Sequence, residues 1–272
     1  MIIQIINYLF YFFVHSKKLS SEIYANPLNQ FKYRNEFMFS LTTSPLRLSK
    51  LHFVFNNLPS NIPIILNLPI KFKNVEDYNL NELSKLQSQF KNVVVNWLQY
   101  DMGPQTKVLG LFYAKNNLKE FFKNKTVIII DDDTKYPNSI VKIYDEYHEK
   151  YSSFSKKICV FSSSLPITYG IPLVEGFGSY SFKFNEIVHE KFVNSCSKYS
   201  SLDGCKMHDD FVFSAAFQDL DYIPIKVDNL ITVQLPYGYD SDSLHFQEPN
   251  VVKSKICSIN IWNERRQCRV FE

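Results

Sequence analysis

The chain lacks a strong excess of either charge. Its 272 residues carry 30 lysines and arginines against 27 aspartates and glutamates, a net charge of +3. That balance excludes a bulk electrostatic binder of nucleic acid, while leaving room for a local basic pocket that takes a small anion. Glycine is scarce, at 7 residues, and no long Pro/Gly/Ser linker or internal repeat divides the chain. Cysteines stand at Cys159, Cys196, Cys205, Cys257 and Cys268 with no CxxC or CxxxC pair, so no zinc site is indicated. Their odd number and wide spacing predict free buried thiols in a reducing compartment, with a Cys196–Cys205 bridge as the alternative.

No apolar run reaches the roughly 20 residues that a spanning helix needs. The leader MIIQIINYLFYFFVHSKK is apolar from Ile2 to Val14 but broken by Gln4 and Asn7. It has neither a basic n-region nor a small-residue cleavage site, so it makes a poor signal peptide. It reads as a packed strand or helix, or else as a short membrane anchor backed by Lys17 and Lys18. The expected location is cytoplasmic, with peripheral membrane contact through this segment left open.

What the chain does hold is apolar bulk. It is 45% hydrophobic, with 24 Phe and 17 Tyr, enough for a sizeable core. Residues 1–35 form an apolar extension and polar connector. From residue 36, strand and helix patterns alternate: Phe37–Leu41, then helical spacing through Leu48, Leu51, His52 and Phe55; IPIILNLPI, then NLNELSKLQSQF; NVVVNWL, then one helix over GPQTKVLGLFYAKNNLKEFF; TVIII, then a helix starting at Pro137. Such alternation predicts βαβ units and a mostly parallel α/β sheet flanked by helices, in a single main domain. The part after residue 155 is less regular.

In an open parallel sheet, ligands bind beyond the C-terminal strand ends. Polar clusters fall at those ends: Thr42, Thr43 and Ser44 with Arg47; Asp101 with Lys107; and Asp131, Asp132 and Asp133 directly after TVIII. Three adjacent carboxylates repel one another unless a cation sits among them. In extended geometry Asp131 and Asp133 point to one side and could hold Mg²⁺ or Mn²⁺, which favour oxygen ligands. Asp132 would then point away, toward a ribose or base. Asp209 and Asp210, in HDDFVFSAAF, open a helix, where carboxylates suit the dipole. They read as a cap or as a general base at the mouth of the site. His208 reads as a cap and His245 as a surface histidine, with a metal ligand as its alternative. The basic C-terminal residues Lys253, Lys255, Arg265, Arg266 and Arg269 read as a solvated face.

The segments FSLTTSPLRL, YDMGPQTKVLG, VIIIDDDTKYP, LVEGFGSYSF and HDDFVFS resemble, in that order, GT-A-fold glycosyltransferases of the family-2-like type. The nearest likeness is to a viral and bacterial rhamnosyltransferase-like group. The resemblance covers about residues 36–225. It implies a nucleotide-sugar-binding half, 36–150, and an acceptor-binding half, 151–272. Thr42, Thr43 and Arg47 would line the nucleotide pocket, Asp101 and Asp132 would face base or ribose, and Lys107 would face base or phosphate. Asp131 to Asp133 look like a DxD motif that binds the diphosphate through Mn²⁺ or Mg²⁺. Glu175, Gly176 and Gly178 would border the sugars, and Asp209, with Asp210 as the alternative, would be the base. The implied reaction moves a sugar from a UDP- or dTDP-sugar to a glycan or lipid-linked acceptor, by an inverting displacement. A Mg²⁺-dependent phosphohydrolase of the haloacid-dehalogenase type also ends an apolar strand in DxD. However, the expected DxDx[TV] pattern is broken here by Lys135. A catalytically inactive sugar-nucleotide-binding module is the other alternative.

Overall fold

Unbroken apolar runs give strands that are covered on both faces. The computed structural model describes residues 36–71, 77–153, 157–162, 167–168, 171–172, 178–205, 208–235 and 256–265, within one unit, Asn35–Glu272. The leader and connector, Glu175, Gly176, His245, Cys268 and the basic residues Lys253, Lys255, Arg266 and Arg269 lie outside the described residues.

In chain order the first part holds β1 (Phe37–Thr42), a 3₁₀ turn Pro45–Lys50, α1 (His52–Phe55), β2 (Ile64–Pro69), α2 (Leu80–Gln89) and β3 (Val93–Leu98). There follow α3 (Thr106–Phe112), α4 (Asn116–Phe122), β4 (Thr126–Ile130), a two-residue β5 (Thr134–Lys135) and α5 (Ile140–Lys150). The second part holds β6 (Ile158–Phe161), the small hairpin β7 (Ile167–Thr168) and β8 (Ile171–Pro172), β9 (Ser179–Lys183) and α6 (His189–Ser200). It continues with α7 (Asp209–Asp219), β10 (Ile223–Lys226) and β11 (Val233–Gln234). Residues 256–265 form a last helix, α8.

Seven strands make one sheet in the order β10-β6-β9-β4-β1-β2-β3. All neighbours are parallel except β9, which runs antiparallel to both β4 and β6. This is the mostly parallel α/β sheet that the alternating pattern predicts, and strands from both halves of the chain share it. The order reverses beside β1: the chain goes outward through β2 and β3, then returns to add β4 on the other side. That switch point is where an α/β sheet opens a crevice.

Period-2 alternation sorts the two faces. Phe39, Leu41, Ile64, Leu66, Val93, Val95, Ile128 and Ile130 join one core with Val54, Leu83, Ile140 and Tyr144 from the helices. The intervening residues face α3 and include a buried polar ladder. Ser40 Oγ donates to the carbonyl of Lys107 (2.6 Å), and Asn67 Nδ2 donates to Ser40 Oγ (2.9 Å). Asn96 Nδ2 donates to Asn67 Oδ1 and to the Gly110 carbonyl (2.9 Å each). Each buried amide is thereby satisfied, and α3 is pinned to β1 and β3 by its own backbone. Gly110 makes this possible: a Cβ there would stand 2.7 Å from Asn67 Oδ1.

Four expectations change. The single helix expected over GPQTKVLGLFYAKNNLKEFF is two helices. All seven residues of α3 are buried, whereas α4 buries only Leu118 and Phe122. A helix with no solvent face has to end where the chain surfaces, here at exposed Tyr113. The helix expected from Pro137 begins at Ile140. Finally, Cys205 is bonded to Cys257, while Cys159 and Cys196 are buried free thiols. The partners lie 52 residues apart, so spacing could not reveal them; folding α8 back onto α6 and α7 does. Asn260 Nδ2 donates to the Asp203 carbonyl, Lys198 pairs with Glu264, and Arg265 donates to the Ala215 carbonyl while pairing with Asp219. Arg265 is therefore part of a helix junction and not of a solvated face. Among the described residues, no helix is long and apolar enough to cross a membrane.

Candidate active site

The carboxylate triplet sits where β4 ends. Ile130 is the last ladder residue, and Asp132 and Asp133 lie in a turn. This stretch is not extended, so period-2 reasoning does not apply to Asp131 and Asp133. Asp132 and Asp133 instead share one partner: Arg47 Nη1 lies 3.0 Å from Asp132 Oδ1 and 3.2 Å from Asp133 Oδ2. Asp131 faces Lys107, whose Nζ lies 2.9 Å from its Oδ1.

Neighbouring elements hold the loop. The Asp131 backbone N–H donates to the Tyr136 hydroxyl (2.8 Å), closing the turn from inside. Thr43 Oγ1, just past β1, donates to Asp132 Oδ2 (2.6 Å). β11 pairs antiparallel with β5, and the Leu235 N–H donates to the Asp133 carbonyl (2.7 Å). Tyr78 donates its hydroxyl proton to the Thr43 carbonyl (2.6 Å). Burial pushes the Tyr78 phenol pKa up, and the charges of Asp101 and Asp132 push it further. Asp101 and Asp132 therefore look onto the same tyrosine. Asp101 Oδ1 also accepts from the Gly103 N–H (2.8 Å), shaping the turn before α3. Thr42 donates to the Asn67 carbonyl and supports the sheet edge.

The third side comes from α7. Its N-cap position is His208, which makes no side-chain cap bond, so the expected capping role for His208 is not seen. Asp209, the first helical residue, is 7% exposed, and its Oδ2 lies 2.9 Å from Lys107 Nζ. Asp209 thus pairs with a cation across the site, and Asp210 follows it in the first turn. Gly178 directly precedes β9 at this edge, since Ser179 pairs with Ile130. Its φ of +104° and the nearness of Ser162 Oγ, 2.5 Å from where a Cβ would stand, require glycine there.

Sequence reasoning named Thr43, Arg47, Asp101, Lys107, the aspartate triplet, Gly178 and Asp209, and the fold brings these to one edge. It missed Tyr78, Tyr136 and the β11 strap. Isolated tyrosines among 17 carry no local signal, and a two-residue strand has no periodicity to read.

Electrostatically the site is overloaded with negative charge. Asp131, Asp132, Asp133 and Asp209 surround Arg47 and Lys107. Burial, then Asp131 and Asp132, push the Asp133 carboxyl up to about 6. Burial raises Asp132 as well, against the opposing pull of Arg47 and of the Thr43 hydrogen bond. Burial disfavours the charge on Lys107, yet Asp131 and Asp209 outweigh it and hold its pKa well above the ordinary lysine value. Among the described residues, no three His, Cys, Asp or Glu side chains converge as a complete ligand set. The donors present are hard oxygens in surplus. They fit a Mg²⁺ or Mn²⁺ held by one or two carboxylates, with phosphate oxygens completing the shell.

No protein-family model matches the chain, and no curated protein sequence does. Among solved structures, S. aureus TarS 1–349 in complex with UDP-GlcNAc is similar at 11% identity and a TM-score of 0.48, covering 84% of this chain and 67% of that one. S. aureus TarS 1–349 is similar at 11% identity and a TM-score of 0.45, covering 83% and 71%. The bifunctional glycosyltransferase WbbM is similar at 11% identity and a TM-score of 0.41; the match covers 83% of this chain and 44% of WbbM.

Proposed function

We propose that the protein transfers a sugar from a nucleoside-diphosphate donor to a hydroxyl acceptor. One observation carries this reading: a carboxylate loop and a second buried carboxylate, Asp209, flank Lys107 at the switch point of the sheet. Breaking a glycosyl–diphosphate bond needs positive charge near the leaving phosphates, and the attacking hydroxyl needs a base on the acceptor side.

In this reading Thr43, Tyr78 and Asp101 border the nucleoside, and Arg47 meets the diphosphate. Arginine's fork suits phosphate oxygens. Asp131 and Asp133 would hold the Mg²⁺ or Mn²⁺, which when bound supplies Lewis-acid neutralisation of the leaving diphosphate. Asp209 takes the proton of the attacking hydroxyl, and a single displacement inverts the anomeric carbon. Gly178 lies on the acceptor side. A glycan or lipid-linked acceptor is the proposed class.

Calorimetry with UDP and dTDP, with and without Mn²⁺, is the test. Binding should require the cation, and Arg47→Ala should weaken it by roughly ten- to a hundred-fold, the cost of a lost charge-assisted contact. Equal affinity in EDTA would remove the metal, and unchanged binding by Arg47→Ala would move the nucleotide elsewhere.

A further inference from the structure

We propose that Lys107 is a positioning residue that holds the base Asp209 against the donor loop. The inference rests on the glycosyltransferase reading and deepens it. Lys107 Nζ lies 2.9 Å from Asp131 Oδ1 and 2.9 Å from Asp209 Oδ2, and its side chain is 8% exposed. An ammonium has three donors and no acceptor. That of Lys107 donates a hydrogen bond to Asp131 in the loop after β4 and forms an ion pair with Asp209 in the first turn of α7, two carboxylates from separate elements. The backbone of Lys107 is fixed as well, since its carbonyl accepts from Ser40 Oγ at the centre of β1. The backbone of Lys107 is therefore held by the sheet and its ammonium by opposite charge from two sides.

That placement has a chemical consequence. Swinging Lys107 away from this pair would release Asp209 and leave a buried carboxylate uncompensated. Tyr180 stands beside this pair. Its hydroxyl is buried with no hydrogen-bond partner among the described residues, and it feels the charges of Lys107, Asp209 and Asp210. It is not hydrogen-bonded to Asp209 and so cannot take over the hold on it. Seating of the donor at Asp131 and aim of the base at Asp209 are thus linked through one nitrogen. A base displaced by about an ångström loses much of its rate, so the link acts on turnover more than on affinity.

The experiment is a double-mutant cycle on the full chain, with Lys107→Met, Asp209→Asn and the double variant. Binding of UDP with Mn²⁺ is read by calorimetry, and turnover as nucleoside diphosphate released from a panel of UDP- and dTDP-hexoses. Lys107→Met should lower turnover by about 100-fold or more, in the range of a lost general base, with UDP affinity changed less than about tenfold. In the Asp209→Asn background the same substitution should lower turnover by less than about threefold, because Lys107 acts through Asp209. Losses that multiply, or wild-type turnover in Lys107→Met, overturn the inference. If circular dichroism finds Lys107→Met unfolded, Lys107→Arg replaces it under the same criteria, since it keeps the charge and loses the compact ammonium. If neither folds, Lys107 is a folding residue and the inference fails. Should the wild type bind no nucleoside diphosphate and release none, the glycosyltransferase reading falls and takes this one with it. Intact binding and release with multiplying losses defeat this one alone.

Discussion

The two sides of the site are built by different means. On the β1–β4 side, parallel strands deliver Thr43, Asp101 and the aspartate triplet to one edge, because every strand ends there. A polar ladder through Ser40, Asn67 and Asn96 fixes α3 and with it Lys107. On the β9–α7 side nothing is parallel to that scheme. β9 enters against the grain of the sheet, so that its beginning, not its end, lies beside Asp131. Asp209 arrives on a helix whose approach is braced by Cys205–Cys257, three residues ahead of His208. A parallel edge gathers side chains from sequence order alone, whereas the second side needs long-range closure.

This contrast can be sharpened by perturbing each side in turn. The largest effect is expected from Asp209→Asn, which should cut turnover by about 10²–10⁴-fold while sparing UDP affinity. Steady-state kinetics beside calorimetry checks it, and an equal loss of affinity would move Asp209 to the donor side. Next comes the closure itself. Cys257→Ser should cost about 2–4 kcal/mol in urea unfolding, and a smaller loss would show that helix contacts alone hold α8.

The boundary between the two sides titrates. His148 of α5 is buried, and its Nε2 lies 2.8 Å from Ser181 Oγ of β9. Its Nδ1 has no partner among the described residues, so a second N–H would find no acceptor. Burial, then Lys183, lower its pKa from 6.5 to about 4. The neutral ring is thus favoured by folding. Its contribution is fully present above pH 6.5 and is lost as pH falls through about 4, amounting to about 3 kcal/mol. Urea unfolding across that window should show the loss in the wild type and not in His148→Gln. The smallest effect belongs to the β1–β4 side. Gly110→Ala would press a methyl to 2.7 Å from Asn67 Oδ1 and 2.9 Å from Leu98 Cδ1. A cost of about 1–3 kcal/mol is expected, read as a drop in melting temperature. A neutral result would mean that α3 is free to lift from the sheet.

The sequence by itself determined the strands of the first half, the α/β class and the identity of the charged cluster. Unbroken β-branched runs such as TVIII specify buried strands locally, and parallel topology then places whatever follows each run at one edge. Tertiary structure decided the rest. The path of the loop from Asp131 to Asp133 depended on contacts that β11 and Tyr136 make from elsewhere. The Cys205–Cys257 pairing depended on where α8 folds back. Lys107 was legible as a cation at a strand edge, but its two partners were not, since ion pairs form between groups that the completed fold buries together, and charge in a sequence carries no direction.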